Sequence, residues 1–248
     1  MPDIEMNYIE TLGFKVFSDD LNLIQIKGDR TRVLNTISPN SYGITTKNPI
    51  FDNALKTADY LVLDGVYFAI APILLQGKNI RRNQGPDVFF HFINRLNEQG
   101  GRAFFLGSTE DVLEKIKIRA AAEYPNIEVR CFSPPFKPVF SDEEDRQLVE
   151  TINGFKPHIL FVGMTCPKQE IWAIKNRPDI NNTLVICIGN VFDWFAGTQR
   201  IIHPFWFKIR LGWLVRIFYR PEIFKRNIGN QMKFFFDVLL YFFHLKKK

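Results

Sequence analysis

The chain of 248 residues has little of what marks metal, redox or membrane-spanning proteins. It has three cysteines and four histidines, with no Cys-x-x-Cys pair and no cysteine at ligand spacing from a histidine. A cysteine-based metal site and a disulfide framework are therefore not expected, and a reduced, cytosolic protein is favoured. The best apolar runs, 66–75 and 234–245, fall short of the ~20 residues of a membrane-spanning helix. The acidic N-terminus is followed by no apolar segment of a secretory signal.

Common catalytic motifs are missing as well. No Asp-x-Asp and no His-x-x-x-His occurs, so nothing in the sequence supports dependence on a divalent metal. The absence of Gly-x-Ser-x-Gly argues against Ser-His-Asp hydrolysis. No complete Gly-x-Gly-x-x-Gly or P-loop is present either, so any ligand site has to be sought in individual turns.

What the sequence does have is an uneven distribution of charge and aromatic rings. The formal net charge is +6, yet residues 205–248 alone carry ten basic and two acidic side chains, together with 13 of the 36 aromatic residues. This tail therefore has a formal net charge of +8, and the other 204 residues have one of −2. A basic aromatic tail suits a membrane surface, a phosphate or a single-stranded nucleic acid. Because the rest is slightly acidic and lacks a nucleic-acid-binding motif, no nucleic-acid partner is expected.

Short apolar runs alternate with helical patterns between about residues 55 and 195. The runs cover 60–63, 102–106, 127–132, 158–162 and 184–188. Runs that are apolar on both faces and joined by helices predict a parallel sheet in an α/β domain. The acidic cluster 141–144 follows the capping-box pattern and predicts a helix start rather than a metal site. Helical spacing returns from about residue 199, with Pro221 at a helix boundary.

Candidate functional residues directly follow the predicted strands, where parallel α/β sheets bind ligands. Asp64 is placed to act as a general base or to bind a sugar hydroxyl, and an ordinary Asp-Gly turn is the alternative. The turn at Gly107 and Ser108, before a helix, suits a diphosphate, while a common Ser or Thr N-cap explains it equally well.

Three further segments each admit two interpretations. In Pro-Lys-Gln-Glu (167–170), proline and glutamate are explained by a helix start, whereas Lys168 and Gln169 at the mouth are not. After Gly189, Asp193 is placed either to hydrogen-bond a ribose or base edge or to cap a turn. Arg82 either clamps a phosphate or is a solvated loop arginine.

Taken together, these segments form an ordered set. The blocks are Ser38-Pro-Asn40, Leu63-Asp-Gly65, Arg82-x-x-Gly85-x-Asp87, Phe105-Leu-Gly107, Val162-Gly163 with Pro167-Lys-Gln-Glu170, and Phe192-Asp193 with Gly197. Their order and spacing over about residues 30–226 resemble the WecG/TagA/CpsF family of bacterial glycosyltransferases, with Pro-Lys-Gln-Glu the most diagnostic block. The segment after Asn227 is an extension that we do not anchor to the family pattern.

The resemblance implies a Rossmann-like α/β core, residues 1–199, and a membrane-associating helical C-terminal appendage, residues 200–248. It implies inverting, metal-independent transfer of an N-acetylmannosamine-type or other hexose, without a cofactor, from a UDP-sugar to a polyprenyl-diphosphate-linked saccharide. The pathway would be cell-surface polysaccharide or teichoic acid synthesis, with the enzyme cytoplasmic and peripheral on the inner face of the membrane. A catalytically inactive scaffold that binds nucleotide-sugars in a membrane assembly complex is the alternative, and a homo-oligomer is left open.

The resemblance also assigns roles to individual residues. Asp64 would be the general base, and Ser38 and Asn40 would line the sugar pocket. Arg82 and Gln169 would hold the diphosphate or the donor sugar. Substrate contacts from the appendage are expected from Arg210, Arg216 and Arg220. The expected nucleotide contacts are Gly107, Ser108, Gly163, Lys168, Gly189 and Asp193.

Overall fold

The computed structural model describes residues 6–64, 67–80, 83, 85–198 and 221–245. The strands are β1 (Tyr8–Thr11), β2 (Phe14–Phe17), β3 (Arg32–Ile37), β4 (Tyr60–Leu63), β5 (Gly101–Gly107), β6 (Ile127–Phe132), β7 (Ile159–Gly163) and β8 (Leu184–Cys187). The helices are α1 (Pro39–Thr45), α2 (Pro49–Lys56), α3 (Ile70–Gln76), α4 (Gly85–Gln99), α5 (Glu110–Glu123), α6 (Asp142–Phe155), α7 (Lys168–Asn176), α8 (Val191–Phe195) and α9 (Pro221–Phe242). A short 3-10 helix covers Leu21–Leu23.

Six strands form one parallel sheet in the order β4-β3-β8-β7-β5-β6, and β1 and β2 form a separate antiparallel hairpin. The predicted α/β architecture, a Rossmann-like parallel sheet flanked by helices with a C-terminal helix, is confirmed. Its strand β3 was not predicted, because Arg32 and Asn35 interrupt the apolar pattern. The fully buried Asn35 amide donates a hydrogen bond to the Ala54 carbonyl oxygen at 3.2 Å, which offsets part of the cost of burying it.

Local capping signals decide where several helices begin. The Ser141 side chain accepts from the Glu144 N–H, and Glu144 accepts from the Ser141 N–H, so the predicted capping box at the start of α6 is confirmed. Thr109 caps α5 in the same way, accepting from the Val112 N–H. Helix α9 begins at Pro221, as the sequence predicts.

The two faces of the sheet are covered by different helices. Alternate side chains of β5 and β7, such as Phe105 and Phe161, pack with α4, α5 and α8, while Phe104 and Leu160 pack with α6 and α7. The chain passes from β5 to its outer neighbour β6 through α5, on the face that α4, α5 and α8 cover. It passes from β7 to β8, in the opposite direction across the sheet, through α7 on the other face. A ligand crevice is expected where such connections diverge, which here is between the carboxyl ends of β5 and β7.

Helix α9 packs directly on the core at α1 and α3. Its Phe234 is fully buried in a cluster with Tyr42 and Phe68. The Tyr42 hydroxyl donates to a carboxylate oxygen of Asp237 at 2.9 Å, and the same oxygen accepts from Lys233 Nζ. Residues 221–242 of the predicted appendage therefore share a hydrophobic core with the sheet domain.

The close approach of α9 to α1 depends on a glycine. A Cβ at Gly43 would overlap the backbone of Asn230, so the two helix backbones touch at this point. The opposite side of α9 exposes an apolar stripe made of Met232, Phe236, Leu239 and Phe243. Within the described residues, no helix has both the length and the hydropathy of a membrane span.

Candidate active site

The parallel sheet brings the predicted site residues to one edge. Ser38 follows β3, Asp64 follows β4, and Gly189 lies just beyond β8, while Gly107 and Gly163 end β5 and β7. Because all six strands run in the same direction, these five positions lie along the carboxyl edge of the sheet. The sequence prediction that the candidate residues share an edge is therefore confirmed at the level of the backbone.

The strand order makes Asp64 and Ser38 direct neighbours. Ile37 pairs with Leu63 in the register of β3 and β4, and the Asp64 N–H donates to the Ile37 carbonyl oxygen at 2.8 Å. Ser38 and Asp64 follow this pair, so their backbones are separated by about 4.8 Å, the spacing of adjacent strands. Asp64, which is half-buried, therefore lies beside the start of α1.

Ser38 and Asn40 are both held by local contacts. Ser38 is the N-cap of α1, where its hydroxyl accepts from the Ser41 N–H at 3.3 Å and lies 3.1 Å from the Ser41 hydroxyl. Asn40 Oδ1 accepts from Asn230 Nδ2 of α9 at 3.1 Å. Helix α9 therefore reaches the β3–α1 turn through Asn230, a contact that sequence reasoning missed because 190 residues separate the two.

Asn83 is a second residue at this edge that sequence reasoning missed. Its N–H donates to the Leu63 carbonyl oxygen at 3.1 Å, which holds it beside the last residue of β4. The side chain is 5% exposed, and its Nδ2 has no hydrogen-bond partner in the structure as described. Its neighbour Arg82 was the predicted phosphate ligand and lies outside the described residues.

Two glycines at the carboxyl ends of β5 and β7 allow the neighbouring groups to approach closely. Gly107 adopts φ +115°, and a Cβ there would lie 2.6 Å from the Gly163 carbonyl oxygen. A Cβ at Gly163 would lie 2.5 Å from the ring of Phe192. Glycine is therefore required at both positions by the close approach of neighbouring groups.

Ser108 lies in the turn before α5, whose N-cap is Thr109. Ser108 has φ +62°, and its carbonyl oxygen accepts from the Ser133 hydroxyl at 2.8 Å. The first turn of α5 carries Glu110 and Asp111. These carboxylates complement the helix dipole themselves and would repel a phosphate placed at the same helix end.

The two motif residues expected at the mouth make internal contacts. Lys168 donates to the Lys137 carbonyl oxygen, and its ammonium lies 3.6 Å from the ring centre of Phe140. Burial and the nearby Lys137 charge lower the pKa of Lys168. Gln169 is 5% exposed; its Oε1 accepts from the Gly189 N–H at 3.1 Å and its Nε2 donates to Glu170 Oε1 at 2.8 Å.

Glu170 lies in the first turn of α7, so its interpretation as part of a helix start is confirmed. Its carboxyl group is buried, a feature that the sequence analysis did not predict. Burial raises its pKa to about 7, and the hydrogen bonds from Gln169 and Cys166 oppose that shift.

The remaining predicted contacts divide into described and undescribed residues. Asp193 in α8 accepts from the Thr198 hydroxyl at 3.2 Å, and a contact with a nucleotide stays a prediction. Arg210, Arg216 and Arg220 lie outside the described residues. Arg226 of α9 is close enough for its charge to lower the pKa of the Cys166 thiol, against the larger raising effects of burial and Glu170.

The part of the chain that the structure describes shows no ligand set for a metal. Within the ranges described above, no group of three or more His, Cys, Asp or Glu side chains is arranged to hold an ion. All three cysteines are free, with Cys187 buried and the other two partly so.

The parallel sheet flanked by helices defines a Rossmann-like α/β fold, a class in which ligands generally bind beyond the carboxyl ends of the strands. The profile of the glycosyl transferase WecG/TagA/CpsF family matches residues 9–248. The chain belongs to this family and is a glycosyltransferase, so the family resemblance is confirmed. Because the match reaches residue 248, the segment after Asn227 is part of the family match rather than an extension beyond it.

Three relatives of the chain carry the name N-acetylglucosaminyldiphosphoundecaprenol N-acetyl-beta-D-mannosaminyltransferase. The relative from Bacillus spizizenii strain W23 is 24% identical over 184 residues, covering 74% of this chain and 69% of that protein. The relative from Staphylococcus aureus strain NCTC 8325 is 26% identical over 195 residues, covering 79% and 73%. The relative from Bacillus subtilis strain 168 is 25% identical over 198 residues, covering 79% and 75%.

Proposed function

We propose that this glycosyltransferase moves an N-acetylmannosamine-type sugar from a UDP-sugar to a polyprenyl-diphosphate-linked N-acetylglucosamine in the synthesis of a cell-surface polymer. The names of the relatives support the transferred sugar and the acceptor. The observation that carries the proposal is the placement of Asp64 beside Ser38 at the carboxyl edge of the sheet.

The proposed reaction is a single displacement with inversion at the anomeric carbon. Asp64 takes the proton from the acceptor hydroxyl while the oxygen of that hydroxyl forms the new bond to the anomeric carbon. The bond from that carbon to the diphosphate breaks, and its electron pair leaves with UDP. The anomeric configuration inverts because attack and departure occur on opposite faces.

The leaving diphosphate gains negative charge and needs stabilisation. In the proposed metal-free reaction, arginine side chains supply it, since a guanidinium binds phosphate oxygens bidentately. Arg82 and the appendage residues Arg210, Arg216 and Arg220 are the proposed donors. The approach of Arg226 to the β7–α7 loop supports the idea that the appendage contributes charge at this edge.

We propose that the donor lies along the same edge. Its nucleotide would contact the glycine turns at Gly107, Gly163 and Gly189, with Ser108, Lys168 and Asp193 around them. Gln169 would contact the donor sugar. The carboxylates at the start of α5 favour placing the uncharged ribose and base, rather than the diphosphate, nearest that helix.

The proposed location is the inner face of the cell membrane, where a lipid-linked acceptor is available. The exposed apolar stripe of α9 and the lysine-rich C-terminal end support this, since apolar side chains insert at the headgroup boundary and basic ones attract anionic lipids. The apolar side chains Ile73 and Leu74 of α3, a helix that packs on α9, are also exposed.

The test is a donor screen with a synthetic N-acetylglucosamine-diphospho-polyprenol acceptor. UDP-N-acetylmannosamine, UDP-N-acetylglucosamine and UDP-glucose are compared, with and without a metal chelator, and NMR gives the anomeric configuration of the product. We expect transfer with inversion that survives chelation. A retained configuration, or no transfer with any donor, would refute the proposal.

Asp64→Asn tests the assignment of the base. We expect kcat to fall by about a hundredfold or more while UDP binding is unchanged, since loss of a general base typically costs a factor of 10²–10⁴. Asp179→Asn is the matched control, because Asp179 is exposed and precedes β8, at the opposite edge of the sheet. Equal activity of the two variants would contradict the assignment.

A further inference from the structure

The first turn of α7 holds a buried carboxyl group that the proposed reaction does not use. Glu170 is 2% exposed, and its Oε2 has no hydrogen-bond partner among the described residues. Its Oε1 accepts from Gln169 Nε2 at 2.8 Å. Because burying a carboxyl group costs stability unless it is hydrogen-bonded, its bonds from Gln169 and from the Cys166 thiol are the contacts that compensate for its burial.

The partners of Gln169 fix the orientation of its amide. The Gly189 N–H can only donate, so it selects the amide oxygen. Glu170 Oε1 accepts when the carboxyl group is ionised, so it selects the amide nitrogen. Both contacts favour the same orientation. The bond to Glu170 uses one of the two N–H groups on Nε2, so the second is presented in a defined direction.

The same hydrogen bonds join two loops at the carboxyl edge. Gly189 follows β8, and a Cβ there would overlap the Met164 carbonyl oxygen and lie 2.8 Å from Gln169 Oε1. Glu170 and Gln169 belong to the helix that follows β7. The series Glu170–Gln169–Gly189 therefore sets the relative placement of the β7–α7 and β8–α8 turns.

We propose that Glu170 is a positioning residue of the transfer reaction. It holds the Gln169 amide so that the second Nε2 N–H of Gln169 meets a hydroxyl of the donor sugar, while Gln169 Oε1 keeps accepting from the Gly189 N–H. Glu170 itself touches no substrate. This inference rests on the proposed function, in which Gln169 contacts the donor sugar.

The test compares an apolar and a polar replacement. Glu170→Leu removes the acceptor for Gln169, whereas Glu170→Gln restores one through its amide oxygen. Glu150→Leu, at an exposed position of α6, is the matched control for loss of a glutamate. For each purified variant, kcat/KM for the UDP-sugar, the Kd for UDP, and hydrogen exchange at the Gly189 amide are measured.

We expect Glu170→Leu to lower kcat/KM by about tenfold or more, the effect of losing one oriented hydrogen bond to the transferring sugar. The Kd for UDP stays the same, because UDP lacks that sugar. Exchange of the Gly189 amide becomes faster. Glu170→Gln recovers activity to within about threefold of the unmodified protein, and Glu150→Leu behaves like the unmodified protein.

Two outcomes would overturn the inference. One is full activity of Glu170→Leu; the other is equal loss in Glu170→Leu and Glu170→Gln, which would make the charge rather than the acceptor responsible. If Glu170→Leu does not fold, Glu170→Met, which keeps the length of glutamine without its acceptor, answers the same question. Turnover by the unmodified protein tests the proposed function separately. Its absence would contradict the proposed function, whereas a failed comparison of the Glu170 variants would contradict only the positioning role of Glu170.

Discussion

Replacing Glu170 by glutamine should change how the stability of the protein depends on pH. Burial raises the pKa of Glu170 from 4.5 to about 7 in the folded state, while an unfolded chain retains the ordinary value. Folding therefore takes up a proton between these two values. A raised carboxyl pKa means stability that is fully present below about pH 4.5 and lost as pH rises through about 7.

The size of this effect follows from the two pKa values. Each unit corresponds to 1.36 kcal/mol, so the total loss is about 3 kcal/mol, of which about 2 kcal/mol falls between pH 5.5 and pH 8.5. Glu170→Gln cannot ionise and is spared this loss. The free energy of unfolding of the variant, relative to the unmodified protein, should therefore rise by about 2 kcal/mol over that interval.

Urea denaturation at several pH values, followed by circular dichroism, measures this difference. Glu144→Gln is the control, because Lys137 and the Ser141 N–H lower the pKa of Glu144 to about 2. Its contribution is present above about pH 4.5 and lost only as pH falls toward 2, so it adds no pH dependence between 5.5 and 8.5. A Glu170→Gln difference that stays flat across this interval would show that the carboxyl group is not desolvated as described.

Three further predictions concern α9, two on its packing against α1 and one on its exposed stripe. Gly43→Ala should lower the free energy of unfolding by about 1–3 kcal/mol in urea titrations, since the new methyl meets the Asn230 backbone; Gly229→Ala, with open space around it, should leave stability equal or raise it by up to ~1 kcal/mol. Tyr42→Phe should lower the free energy of unfolding by about 1–3 kcal/mol in the same assay, because the buried Asp237 loses a charge-assisted hydrogen bond. An unchanged free energy of unfolding would show that this hydrogen bond does not stabilise the docking of α9. Changing Phe236 to serine should reduce sedimentation with anionic vesicles without altering thermal stability, and unchanged sedimentation would count against membrane docking by the stripe.

Much of the sheet was predictable because its strands are continuous apolar runs. A run such as Leu160–Val162 is buried on both faces, and only a covered parallel sheet provides that environment. The carboxyl-edge rule then placed Asp64, Gly107 and Gly163 together from the strand ends alone. Strand β3 was not predicted because Asn35 is polar. The buried Asn35 amide donates a hydrogen bond to the Ala54 carbonyl oxygen of α2, a contact that the local sequence does not indicate.

The site was less predictable than the sheet, because side-chain burial depends on distant neighbours. Pro-Lys-Gln-Glu predicted the start of α7, and the structure confirms it. No local pattern indicated that Lys168 contacts Phe140 or that Glu170 is buried. Likewise, the basic and aromatic tail predicted a helix with a surface role. That Phe234 enters the core depends on Gly43, which lies far away in sequence.

The sequence by itself determined the class of fold, the helix starts and the family of the enzyme, because these depend on local periodicity, capping and ordered short motifs. The tertiary structure decided the strand order that sets Asp64 beside Ser38, the hydrogen bonds from Glu170 through Gln169 to Gly189, and the docking of α9 on α1. Each of these is a contact between residues on different elements. Such contacts are selected by the packing of whole surfaces and the pairing of buried polar groups, which no local pattern specifies.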